Sequence, residues 1–122
     1  MSNHHPVTAV LVVEDEPLVR MHGIDILKDA GFDVFEAADA DEALLILGDG
    51  TEVHLLFSDV DMPGSMDGLQ LAHLVHERWP HIHLLLTSGH HKLRDTEMPD
   101  AGKFVRKPWT SEALVRQVRE FV

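Results

Sequence analysis

The sequence predicts an α/β domain in which a five-stranded parallel sheet is covered by helices on both faces. Short apolar runs alternate along the whole chain with segments whose apolar residues recur at helical spacing. The apolar runs are nearly continuous, which is typical of parallel strands buried on both sides. The 122 residues are enough for one domain with its own core and too few for two.

Five apolar runs are predicted to be the strands of this sheet. Each is four to six residues long, and most are rich in branched or aromatic apolar residues, which favour strands. The predicted strands cover residues 8–13, 33–37, 54–58, 82–87 and 103–106. Five strands with helical connections fit the length of the chain.

The first two helices are marked by residues that begin and end helices. Pro17 suits a first helical position, and Gly31 is a typical residue just beyond a helix end. Asp39 followed by Glu42 resembles a capping box at the start of the second helix, which ends near Gly48. Apolar residues between these markers recur on one face, as expected for helices that pack on a sheet.

The second half of the chain contains two clear helices and one weak segment. A third helix ends before Pro80, and the last helix begins with Thr110 or Ser111 as its cap. Between them, residues 90–102 contain scattered charges and no clear apolar face. We therefore expect a fourth helix there to be short or irregular.

Composition limits the classes of partner and the cellular location. The chain has a formal net charge of −11 and no cysteine, so phosphate repulsion excludes nucleic acid as a partner and disulfides are absent. The first apolar stretch, residues 7–13, is short and lacks a basic leader, and no run could span a membrane. We expect a cytoplasmic protein with no membrane association, a flexible N-terminus over residues 1–6 and one domain over residues 7–122.

Three acidic residues follow two of the predicted strands. Glu14 and Asp15 come directly after the first strand, and Asp59 comes directly after the third. Ligand sites in parallel sheets lie outside the carboxyl ends of the strands, where these side chains would meet. Three neighbouring carboxylates disfavour full ionisation unless a cation offsets their repulsion. The sequence therefore predicts a divalent-cation site at this edge.

Further polar residues follow the fourth and fifth strands at the same edge. Ser88 follows the fourth strand, and Lys107 and Pro108 follow the fifth. With this arrangement the sequence resembles the response-regulator receiver domain of bacterial two-component signalling, from about residue 7 to residue 122. The segments that carry the resemblance are residues 12–16, 59–63 with 66–68, 86–89 and 104–109.

The resemblance implies a flavodoxin-like sheet with strand order 2-1-3-4-5 and a phosphoryl switch that is not an enzyme. Asp59 would take a phosphoryl group from the phosphohistidine of a sensor histidine kinase or histidine phosphotransfer protein and lose it slowly. Glu14, Asp15 and Asp59 would bind Mg²⁺ together with the backbone carbonyl of Asp61. Mg²⁺ prefers oxygen ligands, which suits this set.

The resemblance also implies roles for residues on the fourth and fifth strands. Lys107 would neutralise the phosphoryl oxygens, aimed by a cis peptide bond to Pro108, and Ser88 would donate its hydroxyl to another oxygen. Phe104 stands where the family carries its switch aromatic. Phosphorylation would change the surface of the last two helical segments and the fifth strand for an unidentified downstream protein, and the resemblance also allows a dimer.

The chain departs from the usual family pattern at several positions. Asp61 and His90 lie two residues beyond Asp59 and Ser88, where the family tunes the lifetime of the acyl phosphate. Ser88 replaces the commoner threonine, which keeps the hydroxyl and frees its rotamer. The loop over residues 64–66 is one residue longer than in the shortest members.

Two other functions remain open from the sequence. A phosphatase of the haloacid dehalogenase class also uses an Asp-x-Asp pair after a strand, with Asp59 as nucleophile and Asp61 as general acid. That class carries the pair after its first strand, and this chain is very short for a substrate cap. A receiver-like module that binds without phosphorylation usually lacks one of the acids or the lysine, and this chain has them all.

Some residues have plainer explanations when taken alone. Asp59 by itself suits a turn or a helix cap, and Phe104 is as readily a core aromatic as a switch. His73 and His76 share one side of a predicted helix. No acid or third ligand lies at a recognised spacing, so solvated imidazoles are favoured over a histidine metal site. Other histidines nearby are His81, His83, His90 and His91.

Overall fold

Five parallel strands form one sheet in the order β2-β1-β3-β4-β5. The computed structural model of the chain describes residues 7–90 and 97–121. The strands are β1 (Ala9–Val13), β2 (Asp33–Ala37), β3 (Leu55–Asp59), β4 (His83–Ser88) and β5 (Lys103–Arg106). The strand order is the predicted one, and every predicted strand boundary is confirmed to within one residue.

Four helices connect the strands within the described residues: α1 (Pro17–Asp29), α2 (Ala40–Gly48), α3 (Gly68–Arg78) and α4 (Ser111–Arg119). The irregular helix predicted within residues 90–102 falls mainly on residues 91–96, which lie outside the described part of the chain. Where the description resumes, a turn forms in which the Gly102 N–H donates to the Pro99 carbonyl at 3.0 Å. No helix in the described ranges has the length and apolar character needed to cross a membrane.

The sheet separates two apolar cores, because successive side chains of a strand point to opposite faces. Val10 and Val12 face a core that includes residues of α1 and α4. Leu11 and Val13 face the other core, which includes residues of α2 and α3. The structure therefore has the helix–sheet–helix layering that the alternating pattern predicted.

Capping residues fix where α2, α3 and α4 begin. Asp39 caps α2 as predicted, but Glu42 bonds the Ala38 N–H, so the reciprocal half of the predicted capping box is absent. A complete capping box forms instead at α3, between Asp67 and Gln70. Of the two candidate caps for the last helix, Thr110 is the one that accepts, from the Ala113 N–H at 3.0 Å.

The start of α3 lies against the end of β3 at Gly68. A Cβ atom at this position would lie 1.8 Å from the carbonyl oxygen of Asp59, so any larger residue would displace backbone. The Gly68 N–H also donates to the Val60 carbonyl at 2.9 Å. A glycine here allows the close backbone approach that sets the position of Asp59.

Candidate functional site

The carboxyl ends of the strands border one cavity of about 200 Å³. It is lined by Glu14, Asp15, Glu16, Asp59, Asp61, Gly89, His90 and Lys107. The cavity lies at the predicted edge of the sheet, and it unites acids that follow β1 and β3 with the lysine that follows β5. Residues up to 93 positions apart in the sequence are in contact here.

Glu14, Asp15 and Asp59 can each offer an oxygen such that the three oxygens lie within 4.8 Å of one another. Within the described residues, no other group of three acids, histidines or cysteines is arranged to hold a metal ion. Glu14 is 4% exposed and Asp59 is 5% exposed, so water shields their repulsion poorly. An all-oxygen set of closely spaced carboxylates is the chemistry that Mg²⁺ prefers.

Lys107 reaches two of these three carboxylates. Its Nζ atom lies 2.5 Å from Glu14 Oε1 and 3.2 Å from Asp59 Oδ2. The peptide bond between Lys107 and Pro108 is cis, as the resemblance implied. Burial lowers the pKa of Lys107, but the hydrogen bond to Glu14 and the charges of both carboxylates outweigh burial and raise it. The side chain is therefore a fixed positive charge beside Asp59.

Glu14 is held from several directions. Its N–H donates to the Ala37 carbonyl at 3.1 Å, and its own carbonyl accepts from Arg20 Nη1 at 2.8 Å. Its Oε2 atom accepts from the Glu16 N–H at 3.1 Å. Burial raises the pKa of Glu14, and the bonds from Lys107 and the Glu16 N–H offset only part of that rise. These bonds fix the position of the carboxylate, but its buried environment makes it harder to ionise.

Ser88 and Asp61 are bonded to each other on the opposite side of the cavity. The Ser88 hydroxyl donates to Asp61 Oδ2 at 2.6 Å and accepts from the His90 N–H at 3.1 Å. The Asp61 N–H in turn donates to Asp59 Oδ1 at 3.2 Å. His90 contacts Ser88 through its backbone, and its side chain is exposed. The predicted polar site residues therefore either line this cavity or, in the case of Ser88, bond to residues that line it.

Phe104 is half-buried and packs against the core that includes α2 and α3. On β5 it is the register partner of Leu86 on β4. Its packing fits the core aromatic of the plainer explanation, and its switching role stays a prediction. The tuning role of His90 is likewise still a prediction.

Trp109 is a site residue whose role the sequence analysis did not assign. Its Nε1–H donates to Thr87 Oγ1 at 2.8 Å, and its ring is stacked on His22 with centroids 5.8 Å apart. It also meets Phe57 edge to face, at 5.4 Å between centroids. Because it follows Lys107 and Pro108 directly, Trp109 anchors the backbone that carries the lysine. In the sequence, the position of this aromatic residue directly after Lys107 and Pro108 could have indicated that role.

The long loop after β3 is also anchored. Gly64 has a φ of +108°, which favours glycine, and Ser65 Oγ donates to Asp41 Oδ1 at 2.9 Å. The extra loop residue is thereby attached to the first turn of α2.

Several of the described histidines make contacts other than metal ligation. His73 Nε2 donates to the Glu97 carbonyl at 2.8 Å, and His54 Nδ1 accepts from the Ala9 N–H at 2.9 Å. Neither joins the acidic group at the cavity. His91 lies outside the described residues.

Comparisons with known proteins agree with this geometry. A family model described as the response regulator receiver domain matches residues 10–119. The sensor kinase CckA of Brucella abortus is 37% identical over 117 residues, which are 93% of this chain and 12% of that protein. The chain therefore spans only about an eighth of the length of that curated relative.

Solved structures show the same fold. The receiver domain from the hybrid histidine kinase CckA matches with a TM-score of 0.78 at 33% identity, covering 93% of this chain and 97% of that one. The response regulator TrrA from Thermotoga maritima, solved in complex with Mg(2+)-BeF, matches with a TM-score of 0.86 at 26% identity, covering 95% and 100%.

These matches extend over nearly the whole chain and favour neither the phosphatase nor the module that binds without phosphorylation. They coincide with an acidic group, a lysine and a hydroxyl at the carboxyl edge of a 2-1-3-4-5 sheet. The chain belongs to the response regulator receiver domain family of two-component signalling.

Proposed function

We propose that Asp59 is the residue that accepts the phosphoryl group. The observation that carries this proposal is the contact between the Lys107 ammonium and Asp59 at 3.2 Å, inside an otherwise acidic cavity. A carboxylate is a poor nucleophile toward an anionic phosphoryl group, so positioning and charge neutralisation must supply most of the catalysis. Of the three clustered acids, Glu14 and Asp59 both contact the cation, and Asp59 is the one that lies on the central strand.

In the transfer step, an Asp59 carboxylate oxygen forms a bond to phosphorus as the bond between phosphorus and the donor imidazole nitrogen breaks. The imidazole leaves with the bonding electron pair, and it is neutral after transfer because its other ring nitrogen already carries a proton. Lys107 faces the negative charge that the phosphoryl group brings to this cavity. A flexible ammonium suits this task because it can follow the oxygens as the group arrives.

Mg²⁺ would be held by Glu14, Asp15 and Asp59, with the backbone carbonyl of Asp61 as a further oxygen ligand. When bound, it supplies neutralisation of the phosphoryl oxygens and orients them for in-line attack. The spacing of the three carboxylates supports this assignment. Lys107 also bonds Glu14, so the ammonium and the metal would share the oxygens of this carboxylate.

The donor is proposed to be a sensor histidine kinase or a histidine phosphotransfer protein. An apolar groove of about 270 Å³ borders the phosphoacceptor cavity and shares Lys107 with it. Its other lining residues are Leu18, Val19, His22, Pro108 and Trp109. Leu18 is 78% exposed and Met21 is 57% exposed on the same helix. A donor helix seated there would bring its phosphohistidine to Asp59.

Phosphorylation would draw the Ser88 hydroxyl toward a phosphoryl oxygen and let Phe104 change its packing. The readout surface would be the segment after β4 together with β5 and α4. β5 supports this proposal, since none of its residues is fully buried and its rearrangement would disturb little of the core.

The test is incubation with Mg²⁺ and acetyl phosphate, followed by intact mass spectrometry. We expect a gain of one phosphoryl group in the wild type and in Ser58→Ala, and none in Asp59→Asn. Ser58 is a matched control because it precedes Asp59 on the same buried strand. Its hydroxyl donates to a backbone carbonyl and not to the acidic side chains. A phosphoryl group that persists in Asp59→Asn would refute the assignment.

A second measurement separates this function from the phosphatase reading. We expect no turnover of a phosphomonoester beyond the slow loss of the protein's own phosphate. Sustained hydrolysis that depends on Asp61 would favour the phosphatase instead.

A further inference from the structure

We propose that Asp61 is a positioning residue that holds the Ser88 hydroxyl away from the phosphoacceptor and so restrains the switch until phosphate arrives. The inference rests on the proposed function of Asp59. It assigns to the Asp61 side chain a role separate from that of its backbone carbonyl at the metal site. The carrying observation is the 2.6 Å hydrogen bond from Ser88 Oγ to Asp61 Oδ2.

The Ser88 hydroxyl has one hydrogen, and Asp61 receives it. A hydroxyl can donate only one hydrogen bond at a time, so this bond competes with donation to a phosphoryl oxygen on Asp59. The distance of 2.6 Å is in the range of charge-assisted O–H···O⁻ bonds, which are stronger than neutral ones. Ser88 is fully buried, so water does not replace the bond easily.

Two backbone contacts define this arrangement. The His90 N–H donates to Ser88 Oγ at 3.1 Å, which directs the hydroxyl hydrogen toward Asp61. The Asp61 N–H donates to Asp59 Oδ1 at 3.2 Å, so Asp61 contacts the acceptor with its backbone and the switch hydroxyl with its side chain. Placing phosphate on Asp59 must therefore break the Ser88–Asp61 bond before Ser88 can donate to the phosphate.

The Asp61 carboxylate also lines the cavity that receives the phosphoryl group. Its negative charge would repel the phosphoryl oxygens whether or not Ser88 were present. The test must therefore distinguish the hydroxyl restraint from simple repulsion, and a double-mutant cycle with Ser88 does so.

The experiment measures affinity for beryllofluoride with saturating Mg²⁺ and the rate of phosphorylation by acetyl phosphate. The variants are Asp61→Ala, Asp61→Asn, Ser88→Ala and the double variant Asp61→Ala/Ser88→Ala. We expect Asp61→Ala to raise both quantities by about 10- to 100-fold, the scale of one hydrogen bond to a charged group. Asp61→Asn keeps an accepting oxygen without the charge and should lie between wild type and Asp61→Ala.

The decisive result is in the Ser88→Ala background. If Asp61 acts through the hydroxyl, adding Asp61→Ala to Ser88→Ala changes the affinity and the rate little. If the gain is the same with and without Ser88, the effect is electrostatic and the inference is overturned. Glu16→Gln is the charge control, since it removes one carboxylate from the same cavity and leaves Asp61 and Ser88 in place.

The outcomes for the two proposals differ. A wild-type chain that is phosphorylated at Asp59, with an Asp61→Ala variant that behaves like it, would refute the restraint and leave the proposed function standing. A wild-type chain that never accepts phosphate would refute the proposed function and this inference with it. Urea denaturation of each variant shows that the compared proteins are folded.

Discussion

The central strand β3 and the edge strand β5 differ in burial, although site residues lie at the ends of both. Every residue of β3 is buried, and β3 lies between β1 and β4. β5 pairs with β4 alone, and none of its four residues is fully buried. The proposed acceptor Asp59 ends β3, whereas Lys107 follows β5. The proposed acceptor carboxylate thus lies on a fully buried strand, and the cation beside it follows a partly exposed one.

This difference separates two requirements of a switch. A carboxylate that must meet a metal and a donor gains from a position fixed by backbone hydrogen bonds on both sides. A strand at the edge can rearrange without disrupting the rest of the sheet, because fewer buried contacts must be broken. Trp109 supplies the anchor that β5 lacks, through its bond to Thr87.

The largest expected effect compares one phenylalanine from each strand. Phe57 on β3 is 2% exposed, so Phe57→Ala should reduce the free energy of unfolding by about 3–5 kcal/mol through the cavity it leaves. Phe104 on β5 is half-buried, and Phe104→Ala should cost roughly half as much. Urea denaturation of both variants measures the difference. Equal losses would show that the two strands are equally constrained.

The next effect tests the close approach that positions Asp59. Gly68→Ala places a Cβ atom 1.8 Å from the Asp59 carbonyl oxygen, and relieving that clash should cost about 2–3 kcal/mol. Gly48→Ala is the matched control, because no atom lies within 4 Å of its Cβ position and alanine favours the helix by up to about 1 kcal/mol.

Stability and phosphorylation should both respond at Gly68. We expect Gly68→Ala to slow phosphorylation by acetyl phosphate even where the variant is fully folded, since α3 must move away from Asp59. Gly48→Ala should be at least as stable as the wild type. A Gly68→Ala variant with wild-type stability would mean that α3 does not constrain the end of β3.

Much of this architecture follows from the sequence. Buried parallel strands are continuous apolar runs, so β3 and β4 were predicted to within one residue. Residues that follow such strands must meet at one edge, which is why Glu14 and Asp59 could be placed together before their distance was known. The positions of these two acids relative to the strands were enough to predict that they lie together.

Other features depend on contacts between side chains that spacing does not specify. The bond of Ser88 to Asp61 and the stacking of Trp109 on His22 join residues far apart in sequence. Gly68 is required by a close approach to the Asp59 backbone, which the sequence does not specify. The capping box predicted at Asp39 is incomplete because Glu42 accepts from the Ala38 N–H, and a complete box forms separately at Asp67.

A smaller effect concerns the cation beside β5. Lys107 bonds Glu14 and Asp59, so Mg²⁺ bound as proposed would compete with the ammonium for these carboxylate oxygens. Lys107→Met should therefore raise the affinity for Mg²⁺ by about 10-fold, the scale of one charge-assisted hydrogen bond, while it slows phosphorylation. Isothermal titration calorimetry measures the affinity.

Lys103→Met is the matched control for Lys107→Met. Lys103 also belongs to the edge strand, but it pairs with Glu120 at 3.3 Å on the surface. We expect its loss to leave Mg²⁺ affinity nearly unchanged. Weaker Mg²⁺ binding in Lys107→Met would show that the lysine organises the acids for the metal and does not compete with it.

The last effect is a pH dependence that originates at the end of β1. Burial raises the pKa of Glu14 in the folded protein, so the folded state binds this proton more tightly than the unfolded state. The contribution of Glu14 to stability is then fully present below its unfolded pKa and is lost as pH rises through its folded pKa. Without Mg²⁺, the stability of the wild type relative to Glu14→Gln should fall as pH rises above the ordinary pKa of a glutamate carboxyl, about 4.5.

Urea denaturation in EDTA at several pH values measures this difference, and repeating it with Mg²⁺ tests its link to the metal. Ligation requires the ionised carboxylate, so Mg²⁺ should stabilise the wild type more at neutral than at acidic pH. Glu14→Gln should lose most of that added stability. A relative stability that rises with pH in EDTA would mean that Lys107 more than offsets the burial of Glu14.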